Sequence, residues 1–176
     1  MHHNYIFKYC PVCGHELMSS IVRENEPPRL VCSDASCRFV FYLDPKLVAC
    51  AIVEKDEKII LLKRAFSPER GKWVMPGGYV DRGERVEDAA VRETMEECGI
   101  NIELKNTLGI YSYDGYLEVV IVYLADYKSG ELAAGNENTD VRLLDTEDIP
   151  WDSLAFKSTR DALKDYCALK KRKKYF

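Results

Sequence analysis

Three glutamates within five positions, Glu93, Glu96 and Glu97 in the stretch RETMEECGI, constrain this chain more than any other feature. At about 100° per residue, a helix sets Glu96 roughly 60° behind Glu93 and Glu97 roughly 40° ahead, so the carboxylates share one face. With an effective dielectric of about 20 and separations of about 5.5 Å, each pair costs on the order of 3 kcal/mol before screening. A fold that keeps this helix must bring positive charge to that face. Hard oxygen donors on a rigid element gather Mg²⁺ or Mn²⁺, which would cancel the repulsion and also bind phosphate. Taken alone, a solvated acidic face is the commoner explanation, and the surrounding residues decide between the two.

The helix is expected from Val86 to Cys98, with Gly99 as its stop. Arg85 cannot cap it with a hydroxyl, but Glu87 and Asp88 suit the positive end of the helix dipole. Val91, Met95 and Cys98 recur at helical spacing away from the glutamates and are expected to pack into the core. Cys98, Cys50 and Cys167 stand among apolar residues and read as filler.

The other four of the seven cysteines form two close pairs, Cys10/Cys13 in CPVCGH and Cys32/Cys37 in CSDASC. Close pairs at this separation match a zinc ribbon, with strands between the two knuckles, and the four thiolates are expected to hold one structural Zn²⁺. Disulfides are the weaker alternative for a chain in a reducing compartment. No cysteine stands beside a credible histidine, because the histidines are His2, His3 and His15, so a thiol nucleophile is a poor rival.

Beyond Asp44-Pro45 the pattern changes. LVACAIVE and KIILLKR read as adjacent strands, and PERGKWVMPGGYVDRGE as a Gly/Pro-rich loop with a brief strand. LGIYSY, YLEVVIVYLADY and TDVRLLD supply further strands, and a second amphipathic helix is expected from about Phe156 to Lys170. The expectation is a mixed α/β (α+β) sandwich preceded by a small ribbon, with domains 1–44 and 45–176.

With 176 residues, 47% of them hydrophobic, the chain can bury one good core and carry one small module beside it. A net charge of -4 makes nucleic acid an unlikely partner despite the local run KKRKK at 170–174, which reads as a solvated tail. His2 and His3 read as incidental. Neither a signal-peptide pattern nor an apolar run near 18 residues is present, so a cytoplasmic protein without membrane association is expected.

From Gly78 to Ile100, the segment GYVDRGERVEDAAVRETMEECGI follows Gly-x5-Glu-x7-Arg-Glu-U-x-Glu-Glu-x-Gly-U, where U is a bulky apolar residue. This resembles the Nudix box, with one departure: Thr94 stands where an aliphatic residue is usual, and its methyl can still pack. Agreement at eight spaced positions is far more specific than any lone glycine motif. The resemblance implies that Glu84 pairs with Arg92. Eight residues of helix would separate them by about 12 Å, so Glu84 must lie in a loop folded back onto the helix. It further implies that Glu93 and Glu97 ligate Mg²⁺ or Mn²⁺, that Glu96 is a third ligand or orients water, and that the Gly77 carbonyl adds an oxygen. The general base in such enzymes often lies outside the box. Glu137 in GNENTD is the candidate, with Asp140 second, both being carboxylates in what reads as a flexible Gly/Asn-rich loop.

The whole chain is similar to zinc-ribbon Nudix enzymes that include FAD and ADP-ribose pyrophosphatases. The features shared are the ribbon leading into DPKLVACAIV, then LLKR, GKWVMPGGYVDRGE and IPWDSLAFKSTRDAL. The expected function is therefore hydrolysis of the pyrophosphate bond in a nucleotide-derived small molecule by a homodimer. NADH is the second choice of substrate, and a non-catalytic ADP-ribose sensor or zinc-ribbon binder the rival class. Trp73, Tyr79, Tyr111, Tyr113 and Tyr116 are candidates to stack on an adenine or flavin ring.

Overall fold

A computed structural model describes residues 7–173 of the chain, so His2, His3 and the last of the basic run, Lys174, lie outside the described residues. Two compact units are present, Met1–Pro45 and Lys46–Phe176.

The first unit is a three-stranded antiparallel sheet of β1 (Leu17–Ser20), β2 (Arg29–Cys32) and β3 (Val40–Phe41), in that order. Its only buried side chains among the described residues are Cys10 and Cys32. Two tight turns carry the cysteines. In the first, Gly14 N–H donates to the Cys10 carbonyl at 2.9 Å, and in the second Ser36 N–H donates to Asp34 Oδ1, also at 2.9 Å.

The second unit follows with β4 (Lys46–Lys55), β5 (Lys58–Arg64), β6 (Trp73–Val74), β7 (Gly77–Tyr79), α1 (Val86–Cys98), β8 (Ile100–Tyr111), β9 (Glu118–Gly130), β10 (Asn138–Leu144) and α2 (Lys157–Lys173). The main sheet runs β10-β5-β4-β9-β8, with β6 paired to β5 and β7 to β4. The pairing of β4 with β9 is parallel, Lys46 against Glu118 through Glu54 against Asp126. Other pairs are antiparallel, which makes the sheet mixed.

Both faces of this sheet are covered, which explains why β4 and β5 are nearly continuous apolar runs. Ile52, Ile59 and Leu61 pack with Ala162, Leu163 and Tyr166 of α2. Ala51, Val53, Ile60 and Leu62 face the other way, with Cys98 of α1, while Ala49 packs with Ala89 and Ala90.

The helix bounds agree with the sequence, and so do the burial of Cys98 and the packing of Val91, but Met95 does not turn to the core. Met95 is 37% exposed, whereas Ala89, Ala90, Thr94 and Cys98 are fully buried. Small residues on α1 meet small residues on β4, so the helix lies close to the sheet and the long Met95 side chain is turned outward. Thr94 suits its unusual place: its methyl is enclosed and its hydroxyl donates to the Ala90 carbonyl at 2.7 Å. The last strand-to-helix segment also shifts slightly, α2 beginning at Lys157 rather than Phe156.

Candidate functional site

In the ribbon unit, the Sγ atoms of Cys10, Cys13, Cys32 and Cys37 all lie within 4.8 Å of one another, with Cys13 and Cys32 3.3 Å apart and Cys10 and Cys37 3.8 Å apart. Tetrahedral thiolates at about 2.3 Å from zinc stand about 3.8 Å from each other, so the donor set and its spacing fit this ion. Burial and the surrounding thiols push the Cys32 thiol up to about 12. An ion among the sulfurs would reverse that.

The second unit assembles the box around Arg92. Its Nε donates to Glu84 Oε1 at 2.8 Å and its Nη2 to Glu84 Oε2 at 3.0 Å, a two-pronged pair. Its Nη1 donates to Glu93 Oε1 at 2.8 Å and to Glu96 Oε2 at 3.3 Å, and its Nη2 also to the Tyr79 carbonyl at 3.2 Å. Glu84 reaches the helix as expected, from a loop: its backbone N–H donates to Asp81 O, while its side chain accepts from Asp81 N–H at 3.0 Å. Arg92 and the Asp81 N–H hold the Glu84 carboxyl below the usual range.

Arginine thus answers part of the repulsion on the helix and leaves Glu97 outside its reach. Glu97 Oε2 accepts the Gly77 N–H at 2.8 Å. Burial nevertheless pushes the Glu97 carboxyl up to about 7, against the Gly77 bond and with the help of Glu93 and Glu137. Burial also raises Glu93, opposed by Arg92 and reinforced by Glu96 and Glu137. The side-chain amide of Asn138 is buried beside Glu97, where it favours the charged carboxylate and opposes part of the rise. Strand β7 can lie flush against this helix because of Gly78, where a Cβ would fall 2.6 Å from both Glu93 carboxylate oxygens.

Glu93, Glu96, Glu97 and Glu137 line one cavity of about 510 Å³ together with Gly77, Gly78, Tyr79, Asp81, Asn136 and Arg64. Hard oxygen donors carrying more negative charge than Arg92 neutralises fit a divalent cation. They are not drawn together as the thiols are: among the described residues, no three carboxylates here offer oxygens within 4.8 Å of one another.

The segment that bears Glu137 is held firmly. Ala133 N–H donates to Cys98 O at 3.0 Å and Gly135 N–H to Glu97 O at 2.9 Å, which satisfies carbonyls that α1 leaves open at its C-terminal end. Ala65 N–H donates to the Glu137 carbonyl at 2.9 Å, and a Cβ on Gly135 would overlap the Glu96 carbonyl oxygen. The flexible loop read from the sequence is therefore a backbone clamp. Asp140 lies on β10, paired with Arg142 at 2.8 Å and outside the cavity lining.

Of the five aromatic candidates, only Tyr79 lines the cavity. Trp73 is 7% exposed within the core, Tyr111 donates to Asp165 and Tyr113 to Asp161, both on α2, and Tyr116 rests edge-on against Tyr113. Arg64, Asn138 and Gly135 escaped the sequence reading, since nothing in LLKRA or AAGNEN marks them without the fold.

Comparison with known proteins agrees with this geometry. Residues 44–166 match the NUDIX domain model, and residues 8–43 match a zinc-ribbon model described as Nudix N-terminal. An ADP-ribose pyrophosphatase of Methanocaldococcus jannaschii is 38% identical over 134 residues, covering 73% of this chain and 77% of that protein. The NAD-capped RNA hydrolase NudC of Shigella dysenteriae is 31% identical over 127 residues, which cover 71% of this chain but only 46% of NudC. A crystal structure of a Nudix hydrolase from Nitrosomonas europaea superposes with a TM-score of 0.84 at 33% identity, covering 90% of this chain and 89% of that one. With the arginine clamp and the acidic cavity both inside the matched domain, the chain belongs to the Nudix hydrolase family.

Proposed function

We propose that this enzyme hydrolyses the pyrophosphate bond of a nucleoside diphosphate linked to a second group, with ADP-ribose or FAD the first candidates. The observation that carries the reading is the gathering of Glu93, Glu96, Glu97 and Glu137 in one cavity of about 510 Å³, beside a helix whose charge Arg92 only partly neutralises. The likeness to an ADP-ribose pyrophosphatase along most of the chain supports the choice of substrate. NADH stands second, on the likeness to an NAD-capped RNA hydrolase.

In this reading Glu93 and Glu97, with Glu96 and the Gly77 carbonyl, hold Mg²⁺ or Mn²⁺, and the four cysteines hold Zn²⁺. Divalent ions bound there neutralise pyrophosphate oxygens and lower the pKa of a coordinated water. Glu137 takes the proton of the attacking water as its oxygen bonds to phosphorus. The bridging P–O bond breaks, and its electron pair leaves with the departing phosphate. Glu84 and Arg92 touch no substrate and keep α1 oriented. Water plus ADP-ribose thus yields AMP and ribose 5-phosphate, and FAD yields AMP and FMN.

Comparing kcat/KM for ADP-ribose, FAD, NADH and 8-oxo-dGTP with Mg²⁺ and with Mn²⁺ tests the assignment. ADP-ribose or FAD should lead. A clear preference for the triphosphate would overturn the substrate class, and no turnover of any of them would support the sensor.

A further inference from the structure

Two arginines border the glutamates, and they differ in what they have left to give. A guanidinium carries five N–H donors. Arg92 uses every one: one on Nε to Glu84, two on Nη1 to Glu93 and Glu96, and two on Nη2 to Glu84 and the Tyr79 carbonyl. It has none for a ligand. Arg64, at the end of β5, donates among the described residues only its Nε, to the Pro68 carbonyl at 2.9 Å. Its guanidinium lies over the Phe156 ring, 5.1 Å from the centroid. The backbone beneath is fixed as well, with Arg64 N–H donating to Lys72 O at 3.0 Å and Arg64 O accepting from Gly71 N–H at 2.9 Å. One anchor and one stacking surface hold the side chain and leave both terminal nitrogens unengaged among the described residues.

Among the described residues lining the cavity, Arg64 is the one cation, facing a space that also holds Asp81, Glu93, Glu96, Glu97 and Glu137. An anionic ligand entering that space meets five carboxylates. A planar fork with free donors, already ordered before binding, matches two phosphate oxygens at small entropic cost. The adjoining Ala65 N–H is bonded to the Glu137 carbonyl, so the fork and that glutamate share one backbone support.

We infer that Arg64 is the substrate-binding residue that holds the diphosphate by its non-bridging oxygens, and so selects for diphosphate-containing ligands. The inference rests on the pyrophosphatase reading, and its role is in binding rather than in the chemical step.

The test uses the full chain with Arg64→Gln and Arg64→Lys, checked for folding by circular dichroism. Two quantities are measured: KM and kcat for ADP-ribose, and the affinity for inorganic pyrophosphate by calorimetry with Ca²⁺ present. Arg64→Gln should raise KM and weaken pyrophosphate binding on the order of 10- to 100-fold, with kcat changed about threefold or less. Arg64→Lys should recover part of this, because a point charge lacks the fork. Pyrophosphate affinity within twofold of the parent in both variants would overturn the assignment. If no nucleotide is turned over by the parent, the enzymatic reading fails, and the pyrophosphate titration still decides the role of Arg64. If Arg64→Gln does not fold, Arg64→Lys decides alone: a loss of pyrophosphate affinity beyond fivefold supports the role, and anything less overturns it.

Discussion

The ribbon and the sheet domain each crowd acidic groups into a small space, and they support that crowding in opposite ways. In the ribbon, Cys10 and Cys32 are themselves the buried side chains among the described residues, so the thiols whose spacing fits an ion are also what the unit is built around. In the sheet domain, Ile52, Ile59, Ile60, Leu61, Leu62, Met75, Ile100 and Leu163 are fully buried apolar side chains, so the core is built without the glutamates. A metal site can thus be a core or be mounted on one. In the first case the ion's affinity is folding energy, and in the second the fold holds charge in readiness for chemistry.

Disrupting each site in turn sharpens this contrast, and the largest effect is expected in the ribbon. Structural zinc supplies on the order of 10 kcal/mol in small modules. Cys32→Ser should therefore abolish zinc retention and unfold residues 8–43, read as full hydrogen exchange there, while Lys46–Phe176 stays protected. Protection retained in the ribbon would erase the distinction. Next comes Glu97→Gln, which should lower kcat by about 1,000-fold, as loss of metal-assisted charge stabilisation implies. Its melting temperature without metal should hold or rise, because repulsion with Glu93 and Glu137 is relieved. Gly135→Ala should cost about 10-fold in kcat by displacing Glu137, with metal affinity unchanged; full activity would free Glu137 from the clamp.

The smallest effect is on stability against pH. In the metal-free protein the folded Glu97 carboxyl titrates near 7, above its ordinary value of 4.5. Between those values the folded state binds more protons than the unfolded one, so stability falls as pH rises from about 4.5 to 7. Melting temperature should drop by a few degrees over that window, and added Mg²⁺ should remove the slope. A rise in stability over the same window without metal would contradict the burial of this group.

How much of this could be read in advance depended on the kind of signal. Glu84, Arg92, Glu93 and Glu96 were legible because the clamp requires those residue types at fixed spacing, Glu97 because it shares their helical face, and Gly99 because its φ of 70° ends the helix. The core face of α1 was legible only in part, through Val91 and Cys98. Hydropathy also favoured Met95, while the close approach to Ala49 and Ala51 selected Ala90 and Thr94, which weigh little on any apolar scale. The first half of β8 was missed because INIELKN mixes charges into a strand that is only alternately buried. Arg64 and Gly135 matter through partners far along the chain, and no local pattern carries that.

The parallel pairing of β4 with β9 has a kinetic consequence. Lys46 meets Glu118 only after β5, β6, β7, α1 and β8 have been laid down between them, whereas Leu17 meets Cys32 across one short excursion. Distant pairings close slowly and local ones quickly. During synthesis the ribbon can capture its ion while the sheet is still incomplete. The carboxylates of α1 follow Gly77 closely in the chain but gain the Glu137 segment only after β8 and β9 have been made, so a chain not yet extended to residue 137 lacks one wall of the cavity.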